Sequence, residues 1–221
     1  GRGNTLDVDA QEAAVYLSDD GVAWRKVTEA GDMLGQLIDV VATDDGLFAT
    51  GGVVTSDAGG VWHSTDGENW ERVGNDFENA FLWSIAEGGP GLVAVGWQRT
   101  PEPTVSVWVS ADAGVTWKLA PHPEGSAIAE ATDVATLPDG SLVMVGSSFD
   151  GTAGRFWHST DGADWSLVLE TEGPYPGSSG TVKFREVTEF KSKDHRTFTS
   201  SMQEEDGSWT TLVSGEFHRK K

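Results

Sequence analysis

The residues best placed to do chemistry in this chain are carboxylates that recur at one position of a repeated sequence. Superposing the repeats brings Asp39, Ser84, Asp133 and Glu186 to one equivalent place. Three acids converging there could hold a cation through oxygen ligands, or serve as the acid and base of a glycoside hydrolase. A polar, watered channel lining is the plainer expectation and the preferred one. Ca²⁺ is the one cofactor candidate, but no EF-hand-like spacing supports a Ca²⁺ loop, and no cofactor is expected.

The histidines offer less. His63 and His158 share one repeat position, directly before a recurring Ser, which points to a packing or hydrogen-bonding role. His122, His195 and His218 have no spacing that suggests metal ligands. Gly51-Gly52 and Gly88-Gly89 lie at turns and open no helix, so phosphate-cradle readings fail. The chain has no Cys, which removes disulfides and thiolate metal sites. No catalytic or metal residue is therefore assigned. Trp83 and Trp97 recur in no other repeat. With Arg99, in the connection Gln98–Thr104, they make a candidate ligand face on which a sugar could stack or a protein anchor. Burial between sheets is the alternative for both tryptophans.

The elements that must position these residues are four short strings. They run Ser18-Asp19-Asp20-Gly21-Val22-Ala23-Trp24, Ser64-Thr65-Asp66-Gly67-Glu68-Asn69-Trp70, Ser110-Ala111-Asp112-Ala113-Gly114-Val115-Thr116-Trp117 and Ser159-Thr160-Asp161-Gly162-Ala163-Asp164-Trp165. Each follows an alternating apolar stretch, so it reads as a hairpin. Ser and Asp accept from turn amides, Gly takes the positive φ, and Trp opens the return strand and covers the hairpin base. Two further strands precede each later hairpin: Ile38–Ala42 with Leu47–Gly51, Trp83–Ala86 with Leu92–Gly96, and Thr132–Ala135 with Leu142–Gly146. Four antiparallel strands on a period of about 47 residues is the size of one propeller blade.

The Ser-x-Asp-x-Gly-x-x-Trp string resembles the Asp-box, or bacterial neuraminidase, repeat of sialidases and related proteins, over about residues 13–170. Ser110–Trp117 has the full spacing; the other three copies are one residue shorter. The resemblance implies an all-β fold, a β-propeller of about four four-stranded blades, with an incomplete ring as the alternative. Sialidases in that family use an Arg triad, a Tyr nucleophile paired with Glu, and an Asp acid/base. This chain has only Tyr16, which stands where other repeats have Trp62, Trp108 and Trp157 and reads as packing, and Tyr175, in a linker. Arg25 and Arg72 read as outer-strand solvent residues, and the Arg-Ile-Pro motif of the first blade is absent. The expected function is a non-enzymatic scaffold that binds a protein or carbohydrate partner. A sialidase-like glycoside hydrolase and a structural fragment of a larger propeller protein are the alternatives.

Composition fits this picture. The 221 residues include 28 Gly and 10 Trp, which suits many short strands joined by tight turns. A net charge of -20 disfavours nucleic acid and anionic lipid as partners. No apolar run approaches a membrane span. The opening Gly1-Arg2-Gly3-Asn4 reads as a processed or truncated product, and the acidic, Trp-rich composition points to the outside of a bacterial cell.

Three segments are expected: repeats over 1–172, a Gly/Pro/Ser linker over 173–181, and a C-terminal β segment over 182–221. The last holds 8 of the 15 basic residues and 7 of the 35 acidic ones, so the charge balance changes there. It either closes the ring against the N-terminal hairpin, through Phe184–Phe190 and Arg196–Ser200, or forms a separate β-rich module. Its run Phe184–Lys221 also resembles the C-terminal strands of an uncharacterised family of small bacterial β-rich domains.

Overall fold

The computed structural model describes residues 13–27, 36–53, 58–74, 77–89, 91–123, 126–152, 154–174, 180–192 and 194–219. These residues are all-β, and none of them forms a helix long and apolar enough to cross a membrane. Among the described residues the first element is a two-stranded hairpin, β1 (Tyr16–Leu17) and β2 (Arg25–Lys26). Three four-stranded antiparallel units follow. The first is β3 (Gln36–Thr43), β4 (Gly46–Val53), β5 (Ala58–Ser64) and β6 (Glu71–Val73). The second is β7 (Ala80–Gly88), β8 (Gly91–Gln98), β9 (Thr104–Ser110) and β10 (Lys118–Leu119). The third is β11 (Ala129–Thr136), β12 (Leu142–Ser148), β13 (Gly154–Ser159) and β14 (Ser166–Pro174). One parallel pair, Ala58 with Ala80, joins the first two units into a single sheet.

The units stack face to face because the middle one is apolar on both sides. Strand side chains alternate between faces. On β8, Leu92 and Ala94 face the first unit, in a cluster with Phe48 and Val61, while Val93 and Val95 face the third, in a cluster with Leu142, Met144 and Trp157. On β9, Trp108 turns to the first cluster and Val105 and Val107 to the second. A strand buried on both faces reads as a continuous apolar run, which Leu92-Val93-Ala94-Val95 is.

The C-terminal strands depart from the expected closure. β15 (Thr181–Ser192), β16 (His195–Gln203) and β17 (Trp209–His218) continue the third unit as a meander, in the order β11-β12-β13-β14-β15-β16-β17. β14 pairs with β15 as far as Pro174 opposite Thr181, so the two ends of the expected linker lie on paired strands, while residues 175–179 fall outside the described residues. Neither β15 nor β16 pairs with β1 or β2, and Phe184–Phe190 and Arg196–Ser200 are bonded to each other instead. The pairing of β14 with β15 satisfies the backbone groups that a closing strand would have had to offer to the first hairpin.

Candidate functional site

Each repeated turn is held by the same hydrogen bonds. The Ser hydroxyl donates to the Asp carboxylate, at 3.1 Å for Ser18–Asp20, 3.1 Å for Ser64–Asp66, 2.9 Å for Ser110–Asp112 and 3.2 Å for Ser159–Asp161. The glycine amide donates to the Ser oxygen, at 2.8 Å for Gly21 and Gly67 and 2.9 Å for Gly114 and Gly162. The Asp then accepts from amides further round the turn, as Asp66 does from Glu68 and Asn69 at 2.8 Å each. In the third copy Ala113 takes a φ of 53° beside Gly114 at 81°, which absorbs the additional residue.

These donors hold the carboxylates below the ordinary range. For Asp66 the causes are the Asn69 amide and side chain, then the Glu68 amide. For Asp20 they are the amides of Ala23 and Val22, and for Asp112 the hydroxyl and amide of Thr116. Burial opposes the shift at Asp161, but the Asp164 and Ala163 amides outweigh it.

The tryptophans close three copies. Indole nitrogens of Trp70, Trp117 and Trp165 donate to the carbonyls of Gly67, Gly114 and Gly162 at 2.9, 3.0 and 2.9 Å. Trp117 also lies edge-on to Phe77, with centroids 5.5 Å apart, and is 4% exposed. Trp24 differs from expectation: it is 62% exposed and covers no hairpin base, because the first hairpin has no inner strands behind it among the described residues.

The recurrent acids are aimed by a recurrent irregularity. The pairing of each unit's first strand with its second shifts register between Leu37 and Asp39, between Leu82 and Ser84, and between Ala131 and Asp133. Ile38, Trp83 and Thr132 are thus the extra residues of three equivalent β-bulges, a device that re-aims the following side chain. Glycines 51, 96 and 146 sit opposite, where a Cβ would collide with the carbonyls of Gln36, Phe81 and Glu130.

The bulges bring three of the four expected residues together. The buried Ser84 hydroxyl lies 2.7 Å from Oδ2 of Asp39 and 2.8 Å from Oδ1 of Asp133. Asp39 also accepts from the Ile85 amide at 3.0 Å and the Val40 amide at 2.8 Å, and Asp133 from the Val134 amide at 2.9 Å. A single hydroxyl therefore ties all three units. It fills the space between two carboxylates in which a scissile glycosidic bond would have to sit. Glu186 does not join them: it lies on β15 opposite Leu169 and Ser200, four strands from Asp133 in the same sheet, or roughly 19 Å.

The other candidates each have contacts of their own, and Trp83 and Trp97 are half-buried. Trp83 lies edge-on to Phe81 at 4.8 Å and donates to Glu130 at 3.2 Å. Trp97 lies edge-on to Phe149 at 5.6 Å, with the Arg99 guanidinium 5.7 Å from its centroid. The Gln98–Thr104 connection is tied down by the Arg99 amide on Asn79 and by the Thr100 and Thr104 hydroxyls on Glu102. Arg25 pairs with Glu68, and Arg72 donates to the Gly59 carbonyl at 2.6 Å. The His63 ring lies tilted against Phe48, with centroids 4.6 Å apart, and meets the Asp45 carbonyl at 2.9 Å. Tyr175 lies outside the described residues.

Two arrangements escaped the sequence. Tyr16, read as packing, is 53% exposed and lines a cleft of about 390 Å³ with Leu17, Ile38, Asp39, Val40 and Trp70. His195 and His218, read as unrelated, face each other across β16 and β17 with rings stacked 4.3 Å apart. Only strand register could have shown the second.

The family described as a protein of unknown function, DUF1579, matches residues 127–219, a span that runs from just before β11 to just past β17. A crystal structure of an unknown-function protein from Dyadobacter fermentans DSM 18053 is similar over 93% of this chain and 84% of its own, with 14% identity and a TM-score of 0.48. A variant fructofuranosidase from Schwanniomyces occidentalis, complexed with fructosylnystose, is similar over 82% of this chain and 46% of its own, with 13% identity and a TM-score of 0.38. No curated protein matches the chain.

Proposed function

We propose that the three units are successive blades of a β-propeller, that the repeated turns are Asp boxes, and that the chain is a non-enzymatic scaffold for a protein partner. Three features support the blade reading: the common strand order, the face-to-face stacking, and the meeting of equivalent residues at Ser84. The observation that carries the binding reading is the cleft beside β3. Among the described residues its lining is almost wholly apolar, with Val15, Leu17, Leu37, Ile38, Val40 and Leu47, and Asp39 is the one charged member. A sugar needs several convergent polar groups to replace its hydration, whereas an apolar side chain does not. Val40 is 58% exposed there and Ile38 38%.

β3 also lies at the end of the strand order, pairing with β4 on one side only among the described residues. An extended segment adding to such an edge gains main-chain hydrogen bonds and places alternate side chains in the adjoining cleft. The chain's net charge of -20 favours a segment with basic flanks. The cleft does not favour the sialidase alternative, because among the described residues no Arg lines it to clamp a carboxylate.

Selection from a random displayed-peptide library tests the reading. Apolar sequences with flanking Lys or Arg should be enriched, and Val40→Asp should abolish their binding without moving the unfolding midpoint. Enrichment that Val40→Asp leaves intact refutes the cleft. Turnover of any chromogenic glycoside, lost in Asp133→Asn, refutes the non-enzymatic scaffold.

A further inference from the structure

The C-terminal hairpin carries a group of side chains that neither the turns nor the Ser84 tie uses. In the register of β16 with β17, His195 stands opposite His218 and Thr197 opposite Glu216. Glu216 and His218 are two residues apart on one strand, so all three side chains project from the same face. The imidazole rings are nearly parallel, at 12°. Oε2 of Glu216 lies 3.7 Å from Nε2 of His195 and 3.9 Å from Nε2 of His218. The candidate ligand atoms of the three residues all lie within 4.8 Å of one another. Nε2 of His195 is shielded from solvent and makes no hydrogen bond with the described residues.

We propose that His195, Glu216 and His218 bind a divalent late first-row transition cation, with Zn²⁺ as its simplest occupant. Two imidazole nitrogens and one carboxylate oxygen form a borderline donor set that suits Zn²⁺ and its neighbours over Ca²⁺ or Mg²⁺. Tetrahedral Zn²⁺ bonds of 2.0–2.1 Å set ligand atoms about 3.3 Å apart. The 3.7 and 3.9 Å separations lie within about 0.6 Å of that value, and the side chains of Glu216 and His218 are 68% and 65% exposed. To aim its Nε2 lone pair at the same point, the His218 ring tilts out of its near-parallel stack on His195. The half-buried His195 supplies the fixed corner. Exposure on the opposite side leaves a fourth position for water or an outside ligand. Because β17 ends the strand order, a bound cation would staple this edge strand to β16. The site does not depend on the scaffold reading, since it shares no residue with the cleft.

Chelator-treated protein titrated with ZnCl₂ by calorimetry tests the proposal, with histidine ring resonances followed by NMR. One equivalent should bind, with the His195 and His218 signals moving together and the His122 signal unmoved. His195→Ala, His218→Ala and Glu216→Gln should each weaken binding by at least about tenfold. Glu216→Gln keeps the side-chain shape, so it serves even where an alanine frays the hairpin. Absence of saturable binding overturns the site. So does binding that leaves the His195 and His218 signals in place, which would mark adventitious uptake by exposed carboxylates.

Discussion

Replacing Ser84 with Ala removes one oxygen from the point where three units meet. Ser84 is 2% exposed, and its hydroxyl is within hydrogen-bonding distance of Asp39 on β3 and Asp133 on β11. It has one hydrogen, so it donates to one carboxylate at a time. Losing a hydrogen bond from a buried hydroxyl to a charged acceptor costs about 1.5–3 kcal/mol. The variant also leaves two like charges roughly 5 Å apart with no dipole between them, which adds at most about 3 kcal/mol at an effective dielectric near 20. Asp133 is exposed, so solvent screens most of that repulsion. The expected destabilisation is about 2–4 kcal/mol, or a fall of about 1–2 M in the urea midpoint at an unfolding slope near 2 kcal/mol/M. Urea unfolding followed by Trp fluorescence reads this directly. Two signatures separate a tie between carboxylates from a simple cavity. Salt at 1 M should recover part of the loss, and Asp39→Asn should cost less in the Ser84→Ala background than alone. A midpoint that moves by less than a quarter of the expected shift would show that Ser84 does not tie the three units.

Three further outcomes are expected elsewhere in the fold. Gly96→Ala should destabilise by about 3 kcal/mol or more, because its Cβ would lie 2.9 Å from the Phe81 carbonyl carbon and closer still to the oxygen, both rigid backbone. Gly154→Ala, on an exposed strand position with nothing within 4 Å, should be neutral within about 0.5 kcal/mol in the same urea assay. The turn aspartates set an acid limit. Asp66 and Asp112 are held below the ordinary 3.8, and Asp150, bonded to the Ser148 hydroxyl and Thr152, falls to about 2. A carboxyl depressed in the folded state contributes stability that is complete above its unfolded value and lost as pH falls towards the folded one. Urea midpoints should therefore drop between about pH 5 and pH 2, and Asp66→Asn should flatten that drop; an unchanged pH profile in the variant would contradict it.

Much of the hairpin chemistry was legible because it is local. Ser64, Asp66 and Gly67 lie within four residues, so their hydrogen bonds depend on short-range backbone geometry that residue type largely dictates. The convergence of Asp39, Ser84 and Asp133 was legible for another reason: repetition lets equivalent positions be superposed without knowing how the units pack. The same logic failed for Glu186, because β15 is not the first strand of another unit but the fifth in the continuous meander that begins at β11. Tyr16 and Trp24 misled likewise. They occupy repeat positions whose burial depends on a complete unit, and the first hairpin lacks one among the described residues.

The turns, the strand alternation, the period and the rank of each residue within its repeat could all be read along the chain. All of these are encoded by neighbours along the chain. Tertiary structure alone decided which edge each strand found, and with that whether the C-terminal strands met the first hairpin or extended the third unit. It also decided that His195 would face His218, since a pairing between strands is set by register and a shift of one residue would send the two rings to opposite faces. Contacts within a turn belong to the chain's local chemistry. Contacts between strands exist only once competing edges have been chosen, and that choice is made by the packing of the whole fold.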